Sequence, residues 1–480
     1  MAQSVRLKLL HGVAWHSVEK ILIQGSNFVI GVILARILSP SDFGLIGMLT
    51  IFIAISDIFI QAGFAKALIQ KKDKTDIDFS TAFVANVSTA FVIYCIMFVS
   101  APWIANFYRE PLLVDITRVL SLNFILGSFN IVQRARLMSN VDFKSLARIN
   151  VLSVIIGGVI GIALAYMGFG VWSLVIKTLC STVVLIVLFP FFSMWRPSLK
   201  FSKASFKQLF GFGSKLMITG VYGVILRNVS TIFIGRYYQS SQLGHYTRAS
   251  QFSNLISTTV YDVLGNVTFP VLSSLQDERE HLVAVYRKSL FFTTMVVMPP
   301  MILSTVLAKP IVLLLLTEKW LPCVVLMQWL FLARMFTPVS AINCNILNAI
   351  GRSDLFMKLD FAKAPLIVLA LVITVPLGVE AICIGNFVTS FLSFFINAYV
   401  PGRIFGYGPF QQIRDWRFIL LSTLIMSIVV LAFVHFVSNI WLQVIVGGLI
   451  GIVSYVGCCF LFGVIDDDMK DLFRIKFNLK

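Results

Sequence analysis

The run "VLSVIIGGVIGIALAY", residues 151–166, is apolar on every face, whether it is wound as a helix or drawn out as a strand. Such a segment fits only in a deep protein core or a bilayer, and this chain carries too many of them for a core to hold. Across 480 residues it is 58% hydrophobic and 13% charged, with 43 Phe and a mean hydropathy of +0.89. A water-facing surface cannot be made from that composition. A hydrocarbon core of roughly 30 Å takes about 20 apolar residues per helix, and a window of that length finds about fourteen candidate spans. Strands of a membrane barrel would alternate apolar and polar residues, which these runs do not. The expected fold class is an all-α polytopic membrane protein with about 14 transmembrane helices.

The opening "MAQSVRLKLL" is basic and leads into an apolar stretch too long for a signal peptide, without a small-residue cleavage site, so it should remain as the first span. The seven cysteines are scattered in apolar surroundings with no CxxC pair, and the five histidines have no HExxH-like spacing. Neither set predicts a metal, and no cofactor is expected.

A net charge of +17 invites a nucleic-acid reading, but the placement of the charges excludes it. Of 39 Lys and Arg, 28 cluster in every second connection, from Arg6 and Lys8 through the loop with Arg196, Lys200, Lys203, Lys207 and Lys215 to the tail ending at Lys480. The alternate connections hold five: Arg36, Arg109, Arg236, Lys309 and Lys319. This is the positive-inside pattern, which predicts an even number of spans and both termini in the cytoplasm. Six cations are left over, Lys20, Arg118, Lys177, Arg227, Arg248 and Arg334, all inside expected spans. A charge there costs roughly 3 kcal/mol on insertion scales, so topology does not account for them.

The chain is also written twice. "LARILSPSDFG" (34–44) is echoed by "IGRYYQSSQLG" (234–244), "DIFIQAGF" (57–64) by "DVLGNVTF" (262–269), and "GFGVW" (168–172) by "PLGVE" (376–380), in the same order. Two parallel six-helix repeats follow, related by an axis along the membrane normal. The expected divisions are an N-terminal lobe at 1–195 and a C-terminal lobe at 196–402 that begins with its basic loop. Two further spans without a counterpart lie at 403–464, and a cytoplasmic tail at 465–480. Glycine pairs at four-residue spacing, Gly157 with Gly161 and Gly447 with Gly451, predict close helix contacts.

Polar stripes mark several spans. On a helical wheel His16, Glu19, Lys20, Gln24 and Asn27 share one broad arc of the first span, and Thr50, Asp57 and Gln61 a narrow arc of the second. Arg248, Gln251, Thr258 and Asp262 line up in the eighth, and Arg334, Thr337, Asn345 and Asn348 in the tenth. Lipid does not tolerate such stripes, so they should face water or one another. The first-span cluster fits either a cavity lining or an interfacial anchor, because Lys20 lies only about 10 Å into its span and can snorkel. Arg118 and Lys177 read as anchors near span ends. Lys20, Arg227, Arg248 and Arg334 are the candidate anion-binding residues. His16, Glu19, Gln24, Asn27, Asp57, Gln61 and Asp262 are the polar or coupling candidates, and the two aspartates could equally neutralise an arginine.

The segments "GVAWHS" (12–17), "ARILSPSDFGLIGM" (35–48), "ALIQKKDKTDIDFSTAF" (67–83), "APWIANFYREPLL" (101–113), "GFGVWSLV" (168–175), "FPVLSSLQDE" (269–278) and "EKWLP" (318–322) together carry a resemblance. They resemble the polysaccharide-transporter branch of the multidrug, oligosaccharidyl-lipid and polysaccharide exporter superfamily, in its WzxC/TuaB type of flippase. The resemblance implies two six-helix lobes in a V around a central cavity, in the bacterial cytoplasmic (inner) membrane. It implies transport of an undecaprenyl-diphosphate-linked oligosaccharide by alternating access, with basic cavity residues on the diphosphate and the two C-terminal spans beside the lipid tail. The implied partners are the polyprenyl-diphosphate-linked oligosaccharide, membrane lipids and other polysaccharide assembly proteins, with coupling to H+ or Na+ open. Arginine suits a diphosphate, since it stays charged and bonds phosphate oxygens in pairs. The alternatives are a cation- or proton-coupled multidrug antiporter on the same fold and a membrane-embedded glycan polymerase or acyltransferase. The first should be rich in deep acids and aromatics, the second in a large outer loop or a His/Asp cluster.

Overall fold

The computed structural model describes the backbone of residues 2–464 apart from 62–63, 65–66, 69–70, 72–73, 141 and 194–195, with side chains from residue 19 onward except at 212, 213, 215, 216, 218, 219 and 262–267. Every regular element among these residues is helical. Among the described residues, eleven segments are long and apolar enough to cross a membrane. Three more have crossing length: Leu113–Ser139, interrupted at Ser121, and the 35-residue helices Lys203–Tyr237 and Ser240–Ser274. The described residues thus hold about fourteen helical segments of crossing length, in line with the expected number.

Residues 1–244 and 245–480 form two compact units. In the first, α1 (Ala2–Ile37) lies against α6 (Phe143–Tyr166), which pairs with α7 (Val171–Phe192). The α6–α7 contact is close because Gly157 and Gly161 bare the α6 backbone. A Cβ at Gly157 would fall 1.9 Å from Ser181 Oγ, and one at Gly161 would fall 2.8 Å from Lys177 Cβ. Helix α3 (Asp76–Tyr108) packs on α4 (Leu113–Leu120) and α5 (Leu122–Ser139), with Phe83 edge-on to Phe129. Helix α8 (Lys203–Tyr237) runs antiparallel to α2 (Pro40–Gln61), with Phe64 near Phe206, Gly220 at Ile58 and Gly235 at Met48. The sequence duplication and the packing unit are thus different divisions of the chain, since α8 follows the basic loop yet packs on α2 and α3.

The duplicated turn has a reciprocal geometry. A Cβ on Gly44 would lie 1.7 Å from the carbonyl oxygen of Ser240, the first residue of α9 (Ser240–Ser274), and a Cβ on Gly244 would lie 1.8 Å from that of Pro40, the first residue of α2. Each copy of the motif presents its glycine to the helix start of the other. Only hydrogen fits at either point.

The loop that joins the halves is held down at several points. Ser80 Oγ and Ser198 Oγ are 2.7 Å apart, and the Ser202 N–H donates to Thr81 Oγ1 at 3.0 Å. Ser205 Oγ donates to Asp78 Oδ1 at 2.6 Å. Asp78 also closes the capping box of α3 with Thr75 and accepts from Lys71 Nζ at 2.8 Å. A buried carboxylate with this many donors is fully satisfied.

The second unit contains α10 (Arg279–Val306), the short α11 (Ala308–Leu315), α12 (Cys323–Arg334), α13 (Phe336–Ala349), α14 (Ser353–Thr374) and α15 (Val379–Phe405). Its core gathers Tyr286, Leu290, Val339, Ile346, Phe394 and Trp416. The short α16 (Pro409–Asp415) leads into the hairpin of α17 (Arg417–Phe436) and α18 (Ile440–Leu461), both of which contact α10. Gln412 on α16 is buried and donates to Asn343 Oδ1 at 2.9 Å, while Tyr407 Oη donates to Asp415 Oδ2 at 2.9 Å. This polar knot ties the hairpin's entry to α13.

Candidate functional site

Within the first unit the first-span stripe divides. Glu19 is buried and accepts a 2.6 Å hydrogen bond from Asn150 Nδ2 of α6, itself buried. Lys20, one residue on and about 100° around the helix, is exposed, while Gln24 and Asn27 are half-buried. Glu19 therefore faces a neighbouring helix and Lys20 faces away. The side chain of His16 lies outside the described residues.

On α2 the stripe is consistent: Thr50, Asp57 and Gln61 are all exposed along one face. Arg227 is exposed on α8, ten residues short of that helix's C-terminal end. Its guanidinium folds back over Gly223, where Nη1 lies 3.1 Å from the place a Cβ would take. Among the described residues it has no ion-pair partner. Arg118 lies on α4 with its guanidinium 4.4 Å from the centre of the Phe98 ring and its Nε buried. It packs against an aromatic face near the end of its span.

In the second unit the two deep arginines differ. Arg248 is 6% exposed. It donates to Gln251 Oε1 at 2.6 Å, and its guanidinium carbon lies 5.9 Å from the Trp320 ring centre. His245 meets the same indole edge-on at 5.5 Å. Trp320 is fully buried, in the turn that begins at Thr317 with φ 92°, an unusual value for a β-branched residue. Arg248 is thus enclosed by a folded turn.

Arg334 ends α12 at a break before α13. Pro338 has no N–H to offer the Arg334 carbonyl, and Ser257 Oγ of α9 donates to it at 3.1 Å instead. The Arg334 side chain is half-buried, and its Nε is without a hydrogen-bond partner among the described residues. Gln251, Thr258 and Thr337 are exposed, and Asn345 and Asn348 are half-buried. The side chain of Asp262 lies outside the described residues.

Each unit accordingly has polar or ionic residues exposed on membrane-crossing helices. They are Asp57, Gln61 and Arg227 in the first unit, and Thr258, Thr337 and the Arg248-bonded Gln251 in the second. Hydrocarbon is not a tenable environment for the charges of Asp57 and Arg227. Asn150 and Trp320 are the partners that the sequence reading omits. Asn150 is a lone amide in an apolar run, and Trp320 lies in the short turn EKWLP, with no pattern to pair it with Arg248.

Comparison with known proteins agrees with this architecture. The lipopolysaccharide biosynthesis protein WzxC of Escherichia coli (strain K12) is 25% identical over 372 residues, covering 77% of this chain and 76% of that protein. The succinoglycan biosynthesis transport protein ExoT of Rhizobium meliloti (strain 1021) is 27% identical over 462 residues, covering 95% and 93%. Among solved structures, the lipid II flippase MurJ in an inward closed conformation matches with a TM-score of 0.77 over 96% of this chain and 99% of that one, at 15% identity. An inward-facing multidrug resistance MATE family transporter of the MOP superfamily matches with a TM-score of 0.62 over 82% and 98%, at 16% identity. At these identities the two structures establish a shared fold, that of membrane flippases and transporters. A family profile described as polysaccharide biosynthesis protein matches residues 33–325, more than half of the sequence, and the chain belongs to that family.

Proposed function

We propose that the protein moves a polyprenyl-diphosphate-linked oligosaccharide from the cytoplasmic to the outer leaflet of a bacterial cytoplasmic membrane, by alternating access of its two repeats. The observation that carries this reading is Arg227, exposed on a membrane-crossing helix and unpaired by any described acid. A diphosphate is the kind of group such a cation is suited to bring through hydrocarbon, where an unpaired anion is prohibitively costly. Arg334, at a helix break with an unfilled Nε, is the second candidate ligand, and Lys20 the third. Glu19, held against Asn150, and Asp57 are the candidates for H+ or Na+ coupling. The family assignment and the names of its relatives support a polysaccharide precursor as cargo. The clustering of Lys and Arg in every second connection supports a cytoplasmic location for both termini.

The test is reconstitution in liposomes with a fluorescent lipid-linked oligosaccharide. Arg227→Ala and Arg334→Ala should each slow translocation about tenfold or more, the loss of one or two charge-assisted bonds, with melting temperature kept. Arg248→Ala should instead lower the melting temperature, because Arg248 is packed into the Trp320 turn. Wild-type rates in both of the first two variants would remove the site. Transport of a cationic drug in place of the glycolipid by the wild type would support the multidrug antiporter.

A further inference from the structure

Helix α10 carries Pro299 and Pro300 in its interior. Proline has no N–H, so Pro299 leaves the carbonyl of Met295, one turn earlier, without its helical donor. Inside a bilayer a bare carbonyl finds no water, and a neighbouring group must serve it. Tyr455 Oη of α18 donates to that oxygen at 3.0 Å. One turn before Tyr455, a Cβ on Gly451 would fall 2.7 Å from Leu303 Cδ1, and Leu303 lies one turn beyond Pro299. Gly447 continues the seam towards Leu307. Helix α18 therefore grips α10 on both sides of the proline pair, with a hydrogen bond before it and a bare backbone pressed close after it.

Other features of α10 favour bending at this place. Thr293 and Thr294 return their hydroxyls to the carbonyls of Ser289 and Leu290, at 2.7 and 2.8 Å, a habit that curves helices. Ser257 serves the Arg334 carbonyl orphaned by Pro338 in the same way, but from within the repeated part of the chain. Tyr455 comes from the hairpin that has no counterpart in the first repeat. Leu303, Val306 and Leu307 share an apolar cluster with Met426 and Val430 of α17 and Ile450 of α18, so both arms of the hairpin bear on the same stretch.

We propose that the C-terminal hairpin is a splint that sets the bend of α10, with the Tyr455 hydroxyl as its latch. The helix then flexes at Pro299–Pro300 only when α18 releases Met295. This role is independent of what the protein carries.

Hydrogen exchange of the full-length protein in lipid nanodiscs tests it, read on peptides spanning 295–306. Tyr455→Phe keeps the ring and removes the donor, and exchange there should rise roughly tenfold, with no change across α6. Pro299→Ala restores a backbone N–H for Met295, so in that background Tyr455→Phe should have no effect. Unchanged exchange in the single variant, or an equal rise in both backgrounds, would overturn the latch and leave Tyr455 a packing residue. If Tyr455→Phe aggregates alone, recovery of a monodisperse, slowly exchanging protein on adding Pro299→Ala supports the proposal, and continued aggregation refutes it.

Discussion

The loop between the repeats offers a local measurement with a calculable size. Lys200, Lys203 and Lys207 are exposed and attractive to trypsin, yet cleavage needs several residues of backbone to leave the surface. Three tethers resist this: Ser198 with Ser80, Ser202 with Thr81, and Ser205 with Asp78. The last is a charge-assisted bond of 2.6 Å to a carboxylate that is 1% exposed, and bonds of that class contribute about 2 kcal/mol. Asp78→Ala should lower the opening free energy by that amount and raise the open population roughly 30-fold at 1.4 kcal/mol per tenfold. When opening is fast relative to cleavage, the proteolysis rate rises by the same factor. Thr81→Ala removes a neutral acceptor of about 1 kcal/mol, for roughly a fivefold effect. Asp78→Asn keeps an acceptor for Ser205 and should fall between wild type and Asp78→Ala. The assay is limited trypsinolysis of the reconstituted protein followed by mass spectrometry of the 196–210 fragments. A Thr81→Ala effect larger than that of Asp78→Ala, in proteins of equal melting temperature, would refute the reasoning.

Gly44→Val and Gly244→Val should each cost more than the usual 1–3 kcal/mol of overpacking, because the opposing atoms are backbone carbonyls that have no rotamer to yield. Yield of monodisperse protein should collapse in both, whereas Gly448→Val, with nothing within 4 Å, should behave as wild type. Tyr407, in the connection before α16, has its phenol pushed well above the ordinary range near 10, by burial first and then by its hydrogen bond to Asp415. The folded state holds that proton more tightly than the unfolded chain, so the contribution is intact below about pH 10 and is lost as pH rises further. Melting temperature should drop above pH 10 less steeply in Tyr407→Phe than in wild type.

The spans and the duplication were legible because the bilayer imposes them residue by residue. A crossing helix must be apolar for about 20 residues, and the paired turns at Gly44 and Gly244 keep their glycines because a carbonyl sits where a Cβ would be. The stripe of Thr50, Asp57 and Gln61 was legible for the same reason, since helical periodicity places all three on one exposed face. The wheel could not separate Glu19 from Lys20. Their difference depends on Asn150, 131 residues away, which meets Glu19 but not its neighbour. Nor could it separate Arg248 from Arg334. Both are arginines deep in spans, and only the folded turn that delivers Trp320 shows that the first is enclosed.

The reciprocal glycine contacts bear on how the protein is made. Gly44 enters the membrane about 200 residues ahead of the Ser240 carbonyl that it meets, a delay of roughly 10–40 s at common rates of synthesis. Until residue 240 emerges the contact at Gly44 cannot form, so the start of α2 reaches its final packing only after α8 has been made.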